Sequence, residues 1–234
     1  MPQVALINEQ VRQQWIANKL MPPLPQAASD GEWCRRAYLD VLGRIPKVEE
    51  LKRFQDEPAH DRKIRLANRL LGEECVEEYA RNWTTLWTNL LIGRSGGTER
   101  RMLVNREGLQ QSLRRAFQRN MPYDRLAFEL ISAKGVSKPG DEGFNGFVNF
   151  LAGNLQENGV PATAKTSQIF LGLQIQCTQC HNHPFNDWKQ NQFWEMNAFF
   201  RQTRPLRQFE KGRDVAAIEL VNQDFAGENN RPED

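Results

Sequence analysis

One stretch, Ile169 to Phe200 (IFLGLQIQCTQCHNHPFNDWKQNQFWEMNAFF), constrains this chain more than any other. Within it Cys177, Cys180 and His181 form a Cys-x-x-Cys-His pentapeptide, the pattern by which c-type haem is attached. Two thiols three residues apart on a helical turn face the same way, so each can add to one vinyl group of the macrocycle while the adjacent imidazole lies beneath the iron. On this reading Cys177 and Cys180 are thioether anchors and His181 is the proximal metal ligand. Aromatic residues follow at once: Phe185, Trp188, Phe193, Trp194, Phe199 and Phe200. Such a set serves either as plain core or as the wall that a flat apolar porphyrin needs, and Phe185 and Trp188 are counted with the cofactor-binding residues.

Other readings of the motif stand beside this one. A redox dithiol usually opens a helix after a strand, whereas the spacing Thr166, Phe170, Leu173, Cys177 predicts a helix over 163–176 that the motif closes. Zinc is a second alternative, because Cys177, Cys180, His181 and His183 supply four soft or borderline donors. A structural thiol pair is the third. His183 precedes Pro184, which biases it to an extended conformation; it hydrogen-bonds a propionate, ligates a neighbouring metal or caps the loop. The remaining histidine, His60, is expected to face solvent.

A distal ligand is not specified by the pattern. Met102, Met121 and Met196 are the methionines considered, and an open sixth position is the alternative.

With 234 residues the chain suits a single domain, with 1–25 as an N-terminal helix and proline linker (Pro22, Pro23, Pro25) and 201–234 as an extended C-terminal tail. A hydrophobic fraction of 39% with 26% charge reads as globular, and no apolar run reaches the roughly 18 residues a membrane span requires. A net charge of +2 gives no electrostatic case for nucleic acid. Cys34 and Cys75 lie in amphipathic segments and are expected as small buried apolar groups. The first residues, MPQVALINEQ, lack the regions of a signal peptide. Haem c is normally attached outside the cytoplasm, so a periplasmic or secreted location with an export signal missing from this sequence is the expectation.

The periodicity calls for an all-α, irregular multi-helix bundle. Helices are expected over 3–20 (stripe Val4, Ile7, Val11, Trp15), from Asp30 to Gly43, over 47–55, over 61–71 with Asp61 as cap, over 73–92 with Tyr79, Trp83, Leu86, Trp87 and Leu90 inward, and over 99–119. The last carries Arg100, Arg101, Arg106, Arg114, Arg115 and Arg119 on a solvated face or against an acidic partner. One more begins at Pro122. Glycines crowd 135–146, a candidate lid or linker; 217–221 reads as a short strand, and 227–234 as unstructured.

The runs CRRAYLDVLGRIPKVEEL, EYARNWTTLW, NREGLQQSLRRAFQRNMPYDRLAFELI and the motif stretch occur in an order that resembles the planctomycete-type cytochrome c domain family, over roughly 7–230. The resemblance implies a secreted helical domain of unknown function whose haem motif corresponds to Cys177, Cys180 and His181, followed by His183, Pro184 and Phe185. It also implies an adjoining domain, since relatives tend to continue beyond VNQDFAGENNRPED. Two functions follow. One is an extracytoplasmic electron-transfer module that exchanges single electrons with a redox partner protein or an adjoining domain. The other is a non-redox scaffold whose Cys/His motif binds zinc or only clamps a bend.

Overall fold

Apolar residues spaced three and four apart need partners, and in this chain they find them in two clusters. The computed structural model describes residues 2–20, 28–97, 103–209 and 215–222. The described elements are helices α1 (Pro2–Ala17), α2 (Asp30–Leu42), α3 (Val48–Asp56), α4 (Arg62–Leu70), α5 (Val76–Ile92), α6 (Arg106–Gln118), α7 (Tyr123–Ile131), α8 (Val148–Ala152), α9 (Gln156–Phe170) and α10 (Gln190–Arg201), with strands β1 (Gly135–Val136), β2 (Thr203–Phe209) and β3 (Val215–Asn222). The expected helical architecture holds, with a small antiparallel sheet of order β1-β3-β2 added to it.

In the first cluster α2, α3 and α4 bury Cys34, Tyr38, Leu42, Phe54, Leu66 and Leu70, with Cys75 and Tyr79 packed against them. Burial pushes both thiols up in pKa, as it does the Tyr38 phenol, to about 12. Both are free cysteines, as the amphipathic context predicts. Arg44 closes the cluster: it holds Glu50 through two bonds of 2.8 Å, and it also bonds Glu78. Asp61 does not cap α4 with its side chain; its carboxylate instead accepts from Arg65 at 2.6 Å.

The second cluster gathers Leu91, Leu109, Leu113, Leu126, Leu130, Phe150, Leu151 and β3 residues Ile218 and Leu220. α5 joins the two clusters, and its ring contacts run from Tyr79 through Phe117 to Trp87 and Tyr123.

Several expectations need correction. Trp15 is 41% exposed, and Val4, Ile7 and Val11 are exposed with it, because the cluster on α2–α4 closes without α1. Leu86 and Leu90 are each 50% exposed; the inner face of α5 is Ala80, Thr84, Thr88 and Leu91, one step round the helix. Small and β-branched residues there let α6 approach closely. Arg106 is no solvent-facing charge: it donates to the carbonyls of Gly93 and Gly96 and to Asn89, tying the end of α5 to the start of α6. Met102, Arg100, Arg101, the prolines at 22, 23 and 25 and the 227–234 segment lie outside the described residues.

The glycine-rich 135–146 segment is neither lid nor linker. β1 pairs with β3 (Gly135↔Leu220, Val136↔Glu219), and a Cβ on Gly146 would sit 1.9 Å from the Gly108 carbonyl oxygen, so the glycines permit backbone-to-backbone contact with α6. Buried Asn149 fastens the segment: its amide donates to Ser137 O and Gly146 O and its oxygen accepts from Asn105 N–H at 2.6 Å. Nor are residues 203–209 and 215–222 an extended tail. β2 and β3 pair antiparallel, and β3 delivers Ala217, Ile218 and Leu220 to the core, so the short strand expected at 217–221 is present and longer.

Candidate functional site

The motif does not close a long helix. α9 ends at Phe170 because Gly172 takes a left-handed conformation (φ 69°) and the Leu173 amide folds back onto Ser167 O at 3.0 Å. The apolar period that continues to Cys177 crosses this stop, which is why periodicity alone overextends the helix. After it, Gln176–Gln179 forms a separate 3-10 turn.

That turn defines the site. The amides of Cys180 and His181 both point at the carbonyl of Cys177, at 3.3 and 3.4 Å, so the three motif residues share one turn. Thr178 is buried beneath it and bonds Ile175 O at 2.6 Å. Cys177 is half-buried and Cys180 exposed, both as free thiols.

The two histidines play different parts. His181 Nδ1 lies 2.7 Å from Asn182 O. A carbonyl only accepts, so Nδ1 donates this bond and Nε2 is the nitrogen left for a ligand, the arrangement of a ligating histidine whose other nitrogen a carbonyl fixes. His183 has both nitrogens engaged: Nε2 meets Gln174 O at 3.2 Å and Nδ1 accepts from Phe185 N–H at 3.1 Å. With His183 N–H on Trp188 O at 2.8 Å, this residue clamps the loop, the third of the roles its sequence context allows.

α10 anchors the turn from the other side. Trp194 Nε1 and Gln190 Nε2 both donate to Gln179 O at 3.2 Å, and Gln190 N–H donates to Asn182 Oδ1 at 3.0 Å. Sequence reasoning missed these amides. Their signal is the density of Asn and Gln from Gln174 to Gln192, side chains able to satisfy the backbone of an irregular loop.

The aromatic set divides. Phe193 and Phe200 are core, whereas Phe185 is 92% and Phe199 76% exposed, and Trp188 is half-buried with its amide on Asn186 Oδ1. Phe185 meets the His183 ring edge-on at 6.2 Å. Met196 packs against the core, where its sulfur accepts from Ser167 at 3.2 Å, and Met121 packs there too, beside Trp87 and Tyr123.

The donor set fits a covalently attached haem: two free thiols on one turn, an imidazole with Nε2 available, and exposed apolar rings close by in sequence. Among the described residues no group of three or more His, Cys, Asp or Glu side chains is arranged to hold a bare metal ion, and no described helix is long and apolar enough to cross a membrane.

No curated protein and no solved structure matches the chain. A family model does: PSCyt2, described as a protein of unknown function (DUF1549), over residues 6–205. The match takes in every helix of both clusters and the whole Cys177–His181 turn, and the chain therefore belongs to the PSCyt2 family, a planctomycete cytochrome-c-related domain of unknown function.

Proposed function

We propose that this is an extracytoplasmic c-type haem-binding domain that transfers single electrons to or from a partner protein or an adjoining domain. The observation that carries the reading is the turn itself: Cys177, Cys180 and His181 share it, and the Asn182 carbonyl holds His181 with Nε2 free. When bound, the haem supplies one-electron redox chemistry. The protein's part is to present both thiols, orient the imidazole through Asn182, and hold the turn rigid through Gln179, Gln190 and Trp194. Thioether attachment normally takes place outside the cytoplasm, so the reading carries with it a periplasmic or secreted location.

The hydrogen bonds of His183 favour a second reading, a non-redox scaffold, because both ring nitrogens are taken up in bridging Gln174 to Phe185. Protein exported alongside a cytochrome c maturation system separates the two. Soret and alpha bands that survive acid-acetone extraction support the haem domain; a colourless product, with or without zinc by elemental analysis, contradicts it.

A further inference from the structure

The peptide unit joining Asn182 to His183 is held at both ends. Its carbonyl accepts from His181 Nδ1 at 2.7 Å, and its N–H donates to Trp188 O at 2.8 Å. A trans peptide is planar, with C=O and N–H pointing opposite ways, so the bond to Trp188 fixes the direction in which the carbonyl faces the imidazole. The Asn182 side chain adds a third hold, because its Oδ1 accepts from Gln190 N–H at 3.0 Å.

That third hold lies at a helix end. Gln190 opens α10, and its N–H is one of the four that a helix leaves without an internal partner. Lys189 at the N-cap has no side-chain acceptor to offer, and Asn182 supplies one from outside the helix. His181, Asn182 and Gln190 are all exposed, so water competes for the imidazole N–H. A ring bond to the next residue's carbonyl persists there only if the backbone that carries the carbonyl is held.

We infer that Asn182 is a positioning residue: pinned by Trp188 and Gln190 at the start of α10, it fixes the direction and strength of the bond to His181 Nδ1, and in the haem-bound protein that bond helps to set the reduction potential. A carbonyl held on the far nitrogen makes a ligating imidazole more basic and favours the oxidised iron. The effect on the potential rests on the haem reading, whereas the hold on the ring does not.

The hold is tested on the full chain made without haem, by nitrogen NMR of the His181 ring at about pH 9, where imidazoles are neutral. The signal is assigned by its loss in His181→Gln. Imidazole in water favours the proton on Nε2, so a His181 that carries it predominantly on Nδ1 is the expected result and reports the bond to Asn182 O. Asn182→Ala should lower the ratio of Nδ1–H to Nε2–H roughly fivefold, the worth of one ordinary hydrogen bond. Asn182→Asp, which keeps the acceptor at the helix start, should preserve the ratio. Proline suits a first helical position preceded by an extended residue, as Lys189 is. Gln190→Pro therefore removes the N–H without breaking α10 and should act as Asn182→Ala does. Gln190→Ala, which loses only the side-chain bond to Gln179 O, should change the ratio less. Melting curves establish that each variant folds, and Asn182→Ala against Asn182→Asp decides should Gln190→Pro fail to fold. A parent with Nε2–H predominating, a ratio unmoved by Asn182→Ala, or equal shifts in Gln190→Pro and Gln190→Ala would overturn the hold. The effect on the iron is read from the midpoint potential of protein exported with a cytochrome c maturation system. A fivefold loss of preference for the oxidised state in Asn182→Ala is an upward shift of about 40 mV, at about 59 mV per tenfold for one electron. An unchanged potential in a variant whose tautomer ratio has fallen would overturn that effect. A parent without covalent haem would overturn the haem reading and the effect on the potential together, while the tautomer result stands.

Discussion

The Nδ1 atom of His181 sits 2.7 Å from the carbonyl oxygen of Asn182, and this one contact engages Nδ1 and leaves Nε2 as the nitrogen that can meet a metal. Attachment and ligation use different atoms of the motif. His181→Ala in exported protein is therefore expected to retain part of its thioether-bound haem with a shifted Soret band and altered spin state, as read by the spectrum of the purified variant. Complete loss of covalent haem in that variant would show that ligation must precede attachment.

His183 bridges Gln174 and Phe185 through its ring and Trp188 through its amide. His183→Ala should cost about 1–2 kcal/mol, at roughly 1 kcal/mol for each ring hydrogen bond, and lower the melting temperature by several degrees. Covalent haem yield should be unchanged. A yield that collapses with the fold intact would make His183 a ligand instead of a clamp.

Arg44 makes hydrogen bonds that hold the carboxyls of Glu50 and Glu78 below their ordinary value of 4.5. Because the folded-state pKa values are depressed, these pairs stabilise the fold above the unfolded value and lose that contribution as pH falls through the folded values. All three side chains are a quarter to a third exposed, so screening reduces the effect, and Arg44→Ala should cost about 1–2 kcal/mol at neutral pH. The difference between parent and variant should shrink on acidification below about pH 4.5, as followed by chemical denaturation at several pH values.

Much of the fold was legible in the sequence. Helix positions followed from apolar spacing and stops such as Gly43 and Gly72, and Cys34 fell in the core as its surroundings indicated, while Cys75 packs half-buried against it. What periodicity missed has specific causes. It counts apolar residues, so it aimed Leu86 and Leu90 inward where the contact with α6 selects Thr84 and Thr88. It treats glycine as flexible, so it read 135–146 as a linker although those residues are pinned through Asn149 and β3. At the site, the motif residues were named from spacing alone, but the Asn182, Gln179 and Gln190 contacts were not, because the density of Asn and Gln there marks an irregular loop without saying which amide meets which oxygen.

Asn149 offers the clearest test of that pinning. Asn149→Leu keeps the branched shape but leaves Asn105 N–H and the Ser137 carbonyl without their partner, while the Gly146 carbonyl keeps the backbone N–H of residue 149. The expected loss is about 3 kcal/mol, at 1–3 kcal/mol per buried unsatisfied group. It should appear as a lower denaturation midpoint at unchanged slope. A neutral substitution would show that the segment is held by β1 alone.

The most direct measurement is a haem-stained denaturing gel of protein exported with a cytochrome c maturation system, run beside the double variant Cys177→Ala, Cys180→Ala. The account predicts a stained band at 27.1 kDa for the parent and none for the double variant, which should keep its helical signal, because the two apolar clusters exclude the motif, but melt at lower temperature. An unstained parent, or a double variant with the parent's stain and melting curve, would contradict it and leave Cys177, Cys180 and His181 as a structural turn.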